Sequence, residues 1–170
     1  MIKQTIKFTD FFDNEREGTF YFNLNRTEAL KIQADLVGGD PTSLGNRMRS
    51  LGGDANPRTV IDTIEELISL AYGVRSDDGQ RFDKSPEISA AFRATAAYDQ
   101  FFSDLCYDAD IAGKFIRELL APHVDIEDLM KNDAVPDEVK NIFGTDRGPV
   151  PASYGRPITS DHLPSRRDMR

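Results

Sequence analysis

Asp104, Asp108 and Asp110 are the carboxylates whose spacing most invites a chemical reading, because acidic groups gathered on one helix face can serve acid–base or metal chemistry. No helix-borne histidine joins them, and Asp108 stands where a helix N-cap is needed, so capping and solvation account for the group. The run Asp77-Asp78-Gly79, with Asp83 and Glu87 beyond it, suggests a calcium loop. An EF-hand needs glycine at its sixth position and glutamate at its twelfth. Placing Gly79 sixth puts Val74 first and Ser85 twelfth, so the motif fails and a solvated turn is expected. His123 and His162 fall in an acidic stretch and a polar tail, with no motif around either. Cys106 is the sole cysteine, four residues after Phe102 on an apolar face, and reads as a core thiol. The glycines of GGDPTSLGNRMRSLGGD form neither GxxxxGK[ST] nor a strand-linked GxGxxG, so no phosphate cradle is supported. No catalytic, metal-binding or cofactor-binding residue is assigned, and no cofactor is expected. These residues point to a binding module.

Composition agrees with that class. A chain of 170 residues with 39% apolar content can bury one core. Its formal net charge of −8 argues against non-specific binding to nucleic acid or an anionic membrane, and favours a basic or neutral partner. The terminal Arg166-Arg167 and Arg170 lack interleaved aromatics and do not change this. No apolar run approaches the roughly 20 residues of a spanning helix, and MIKQTIKFTD lacks a signal-type hydrophobic region; a cytoplasmic location is expected.

The elements that must position any binding surface centre on Asp83 to Pro122. Ser85 as cap, Pro86 in the first turn and Glu87 at the positive end of the dipole start a helix expected over 86–106. Ile88, Phe92, Thr95, Phe102 and Leu105 lie on its apolar face. Asp108 caps a second helix, 108–120, with Phe115, Ile116, Leu119 and Leu120 on its apolar side and Pro122 as its stop.

Earlier in the chain, Ile2 to Thr9 and Thr19 to Leu24 alternate as half-buried strands do, with a polar turn-like stretch from Asp10 to Gly18. They read as an antiparallel hairpin over 2–24. A lone hairpin is marginal in water, so this one must pack on the helices or extend another sheet edge. Asn25 and Glu28 form a capping box for a helix over 25–37, and Asn56-Pro57 open another over 57–72, ended by Gly73. Between them, 38–57 reads as a mobile connector with a short helical suggestion from Leu44 to Leu51. Val74 to Lys84 reads as a charged loop. His123 to Phe143 has six acidic and two basic residues and suits one or two short amphipathic helices. From Gly144 to Arg170 the chain is rich in Pro, Gly, Ser and Arg and is expected to be disordered when free. Its five arginines against three aspartates give +2 and leave −10 on the rest.

The expected fold is α+β, mainly α: an N-terminal β-hairpin packed on a small helical bundle, with a flexible C-terminal tail. Residues 1–122 form the domain, 123–143 an acidic segment with short helices, and 144–170 the tail.

Seven pieces occur in order over about residues 1 to 122: IKFTDF, NEREG, YFNLNRTEAL, Ala71-Tyr72-Gly73, SDDGQRFDKSPE, AFRATAAYDQFFSDL and DADIAGKFI. Together they resemble the tail assembly chaperones of long-tailed bacteriophages with non-contractile tails (siphophage type). The Asp10-to-Asn14 turn, where relatives tend to have a glycine, the connector from Gly38 and the segment after Pro122 depart from that pattern. The resemblance implies a non-enzymatic protein that binds the tape measure protein, keeps it soluble and recruits major tail tube subunits. It would act in the host cell cytoplasm and be absent from the mature virion. Self-association is compatible with it, as is a longer frameshifted product. A groove between the helix at 57–72 and the central pair, using Leu67, Tyr98, Phe101 and Phe115, is a candidate partner site; the competing reading is that these four are core. The alternative functions are a structural tail or head component retained in the virion and, more remotely, a hydrolase using Asp104 and Asp108.

Overall fold

A computed structural model describes residues 1–38, 40–51, 56–133, 135, 137, 140 and 141. The tail expected over 144–170, with His162 and the terminal arginines, lies outside the described residues. The chain opens with strands β1 (Ile2–Thr9) and β2 (Glu15–Phe22), paired antiparallel with Ile2 opposite Phe22 and Thr9 opposite Glu15. β2 therefore starts four residues before the expected Thr19, and the turn shrinks to Asp10–Asn14. Asp10 explains this: its carboxylate accepts from the N–H groups of Phe12 and Asn14 at 2.9 and 3.0 Å and from Arg16 Nε at 2.9 Å. Those bonds close the turn with Asp13 at φ 63° instead of a glycine.

Helix α1 (Arg26–Gly38) begins on the reciprocal bonds of Asn25 and Glu28, 2.8 and 2.9 Å. The stretch expected to be a mobile connector holds α2 (Leu44–Ser50), capped by Ser43 and packed on α1. Leu44 and Met48 are buried there. Gly45 permits the approach, since a Cβ at that position would meet Ile32 O at 2.7 Å and the Cβ of Asp35. Residue 39 and residues 52–55 lie outside the described set.

Helix α3 (Pro57–Ala71) passes directly into strand β3 (Tyr72–Arg75), which pairs with β2 and with the short β4 (Phe82–Asp83). Gly73 is thus a strand residue and not the helix stop. The segment expected to be a charged loop is a small hairpin, turned at Gly79 with φ 69°. The sheet runs β1-β2-β3-β4, antiparallel throughout.

The helix expected over 86–106 is two: α4 (Pro86–Arg93) and α5 (Ala96–Tyr107). Thr95, expected on the apolar face, is instead the α5 N-cap; its hydroxyl accepts from Tyr98 N–H at 3.1 Å and donates to Phe92 O at 2.7 Å. The break lets Phe92 and Phe101, from different helices, both reach the fully buried Phe22, at ring separations of 6.0 and 5.1 Å. Asp108 caps α6 (Ala109–Leu120) through Asp110 and Ile111 N–H, and α7 (Ile126–Lys131) follows. Val124, Leu129 and Val135 join the same buried cluster as the sheet and the earlier helices.

Lys84 ties three of these pieces together. Its ammonium donates to Glu28 Oε2 at 2.6 Å, Leu70 O at 3.1 Å and Asn23 O at 3.2 Å, joining α1, the end of α3 and the exit of β2. The hairpin itself lies against α5 and continues into β3, so its greasy face is covered within the chain.

Candidate functional site

The four residues singled out as a partner groove are core in this structure. Leu67, Tyr98, Phe101 and Phe115 are 1%, 8%, 5% and 2% exposed. Phe101 and Phe115 meet each other edge-on at 5.3 Å and both pack on Phe22. Tyr98 stands edge-on to Phe92 and stacks on Phe102. Burial, reinforced by the negative charge of Glu65, pushes its phenol up to about 12. These side chains hold the fold, and none presents a free face in this conformation.

What the surface offers instead is helix α1. Its buried side is Ala29, Ile32 and Leu36. A second apolar stripe, Leu30, Ala34 and Val37 at i, i+4 and i+7, faces out on the same helix. Leu30 is 47% and Val37 38% exposed. Among the described residues one face of this helix is covered and the next is not. The signal was present in the sequence, since Ala29, Leu30, Ile32, Ala34, Leu36 and Val37 are too many apolar residues for one 100° stripe.

The hairpin tip gives a second surface. Phe11 and Phe12 are 76% and 86% exposed, carried on the Asp10 turn. The Asn14 N–H, then Arg16, holds the Asp10 carboxyl down at about 2, so the turn keeps its organising charge at all ordinary pH. Tyr107 and Ile111, beside the α5–α6 junction, add smaller exposed apolar areas.

Three of the acidic residues weighed for chemistry have structural partners. Asp104 accepts from Gln100 Nε2 at 2.8 Å, Asp108 caps α6, and Asp78 accepts from Ser76 Oγ inside the β3–β4 turn. His123 Nε2 lies 2.7 Å from Leu24 O and secures the loop after β2. Cys106 is half-buried, and burial pushes its thiol up to about 11, far from a reactive thiolate. Among the described residues no group of three or more His, Cys, Asp or Glu side chains is placed to hold a metal ion. No helix among them is long and apolar enough to cross a membrane.

A small α+β body with apolar strips exposed among the described residues fits a protein that works by binding. The family model described as phage tail assembly chaperone matches residues 1–151, and the chain belongs to that family. No curated protein and no solved structure matches it.

Proposed function

We propose that this tail assembly chaperone binds the tape measure protein of a phage with a long non-contractile tail, keeps it soluble and brings tail tube subunits to it. The observation that carries the reading is the outward stripe Leu30, Ala34 and Val37 on α1. A long amphipathic helix exposes an apolar stripe that aggregates unless something covers it. From Leu30 to Val37 the stripe runs about 10 Å, enough to cover about two turns of a client helix. Such a contact is small and so releases readily when tube subunits polymerise around the client. The chain's net charge of −8 favours a client with a basic or neutral flank. Docking is placed on α1 and not on Leu67, Tyr98, Phe101 or Phe115, because exposing those four would open the core. The protein acts in the host cell cytoplasm, without catalysis, and leaves before the particle is complete.

Mass spectrometry of purified virions beside the infected-cell lysate tests this. The chain should be abundant in the lysate and missing from the particles. Recovery from virions in amounts comparable to a tail protein would make it a structural component instead.

A further inference from the structure

The hairpin carries a feature that client shielding by α1 does not use. Asp10 N–H donates to Asn14 O at 2.9 Å, which marks Asp10 and Asn14 as a hydrogen-bonded pair. Antiparallel ladders alternate with a period of two, so Phe8, Ile6, Gln4 and Ile2 are the β1 residues that bond to β2. The other side of β2 gives the same phase: Asn23 N–H donates to Ala71 O at 2.8 Å, so the odd-numbered residues of β2 face β3. Lys3, Thr5, Lys7 and Thr9 therefore turn their N–H and C=O groups away from the sheet. β1 is an edge strand, and these four residues have no main-chain partner among the described residues. All four are exposed.

We infer that the outer edge of β1 is a docking site for an extended segment of another protein bearing carboxylates four residues apart. Main-chain bonding to an open edge supplies the affinity, and side chains on the shared face supply the choice. On that face β1 presents Lys3 and Lys7, on a chain whose net charge is otherwise acidic. Lys7 is 84% exposed and reaches Glu17 only at 3.9 Å, so it has capacity for a second carboxylate. β2 already shows the composition that suits this strand, with Glu17 opposite Lys7, Thr19 opposite Thr5 and Glu15 opposite Thr9. A second copy of β1 does not suit it. Antiparallel pairing centred on Thr5 sets Lys3 against Lys7 twice, which is destabilising, and a register shifted by two sets each lysine against a threonine, so neither register gives the lysines a counter-charge. The occupant is thus an acidic extended strand from a different protein, and the site stands whether or not α1 binds the tape measure protein.

Amide hydrogen exchange of the full chain, read residue by residue by NMR, tests the site with two peptides. TVEVTVEVT carries glutamates four apart, and TVKVTVKVT replaces them with lysines. In the free chain Lys3, Thr5, Lys7 and Thr9 should exchange far faster than Gln4, Ile6 and Phe8. Excess glutamate peptide should slow those four amides about tenfold, as expected at about nine times its Kd, while the lysine peptide leaves them unchanged. The Lys3→Glu/Lys7→Glu chain, altered only at exposed positions, should reverse the preference. Equal protection of odd and even residues in the free chain would mean the edge is already covered and would overturn the site. So would no slowing by either peptide. Equal slowing by both would overturn the carboxylate-bearing occupant.

Discussion

Replacing Lys84 with methionine tests how the body that carries α1 is held. The side chain is only 20% exposed, and its ammonium serves Glu28, Leu70 O and Asn23 O at once. Methionine keeps most of the stem packing and removes all three bonds. Glu28 is itself 21% exposed and would lose its counter-charge, keeping only its bond from Asn25 N–H. Hydrogen bonds involving a charge contribute about 1.5–3 kcal/mol each, but three that share one ammonium do not add fully. With water able to reach Glu28, the expected loss is about 3 kcal/mol, between a surface pair and a fully buried one. In urea, at a slope of about 2 kcal/mol/M, the midpoint should fall by about 1.5 M. Lys31→Met, an exposed change on the same helix, should stay within about 0.5 kcal/mol. Glu28→Gln alone and with Lys84→Met closes a double-mutant cycle, whose coupling should exceed about 1 kcal/mol. A Lys84→Met loss no larger than that of Lys31→Met would refute the view that this ammonium clamps α1 to the sheet and to α3.

Other outcomes follow from the same structure. Leu30→Ala/Val37→Ala removes roughly 1.5 kcal/mol of buriable apolar surface from α1, so affinity for tape measure segments should fall about tenfold in a fluorescence titration while the melting temperature holds. Phe101→Ala should do the reverse, costing about 3–5 kcal/mol of stability by emptying a space between Phe22 and Phe115; a folded protein that merely fails to bind would return Phe101 to the partner surface. Gly45→Ala sets a methyl against Ile32 O and the Cβ of Asp35, and should cost about 1–3 kcal/mol by prising α2 from α1 in a denaturant series. The Asp10 carboxyl is held below its ordinary 3.8, so its contribution to the turn is present above that value and lost as the pH falls to about 2. Amide shifts of Phe12 and Asn14 should titrate with a midpoint near 2, and a midpoint near 4 would show that the turn is not closed by this carboxylate.

Elements with strong punctuation were legible from the sequence. Asn25 with Glu28, Asn56-Pro57, Ser85-Pro86 and Asp108 each start a helix where expected, because a cap and its first turn are local chemistry. Sequence and structure differ where distant contacts decide. The 94–95 break is invisible to periodicity, since Thr95 fits an apolar face and only packing on Phe22 reveals why two axes are needed. The glycine-rich surroundings of α2 suggest mobility, whereas Gly45 is small so that α1 can approach. β3 and β4 leave little trace in the pattern, because strands of four and two residues are too short to alternate visibly; β3 depends on β2 for pairing and β4 on β3. In the sequence Lys84 is one more charge in a polar stretch, and its three partners come from distant segments. The candidate site is the least legible part: periodicity identifies apolar faces but does not say which of two faces on α1 is left uncovered, nor that Phe101 and Phe115 fill the core while Phe11 and Phe12 stand exposed.

The most direct test of the chaperone assignment is co-expression of this chain with the tape measure protein of the same phage, followed by affinity capture and size exclusion. A tape measure protein insoluble alone should become soluble and elute with this chain as one complex. A tape measure protein that stays insoluble beside abundant, folded chaperone would contradict it.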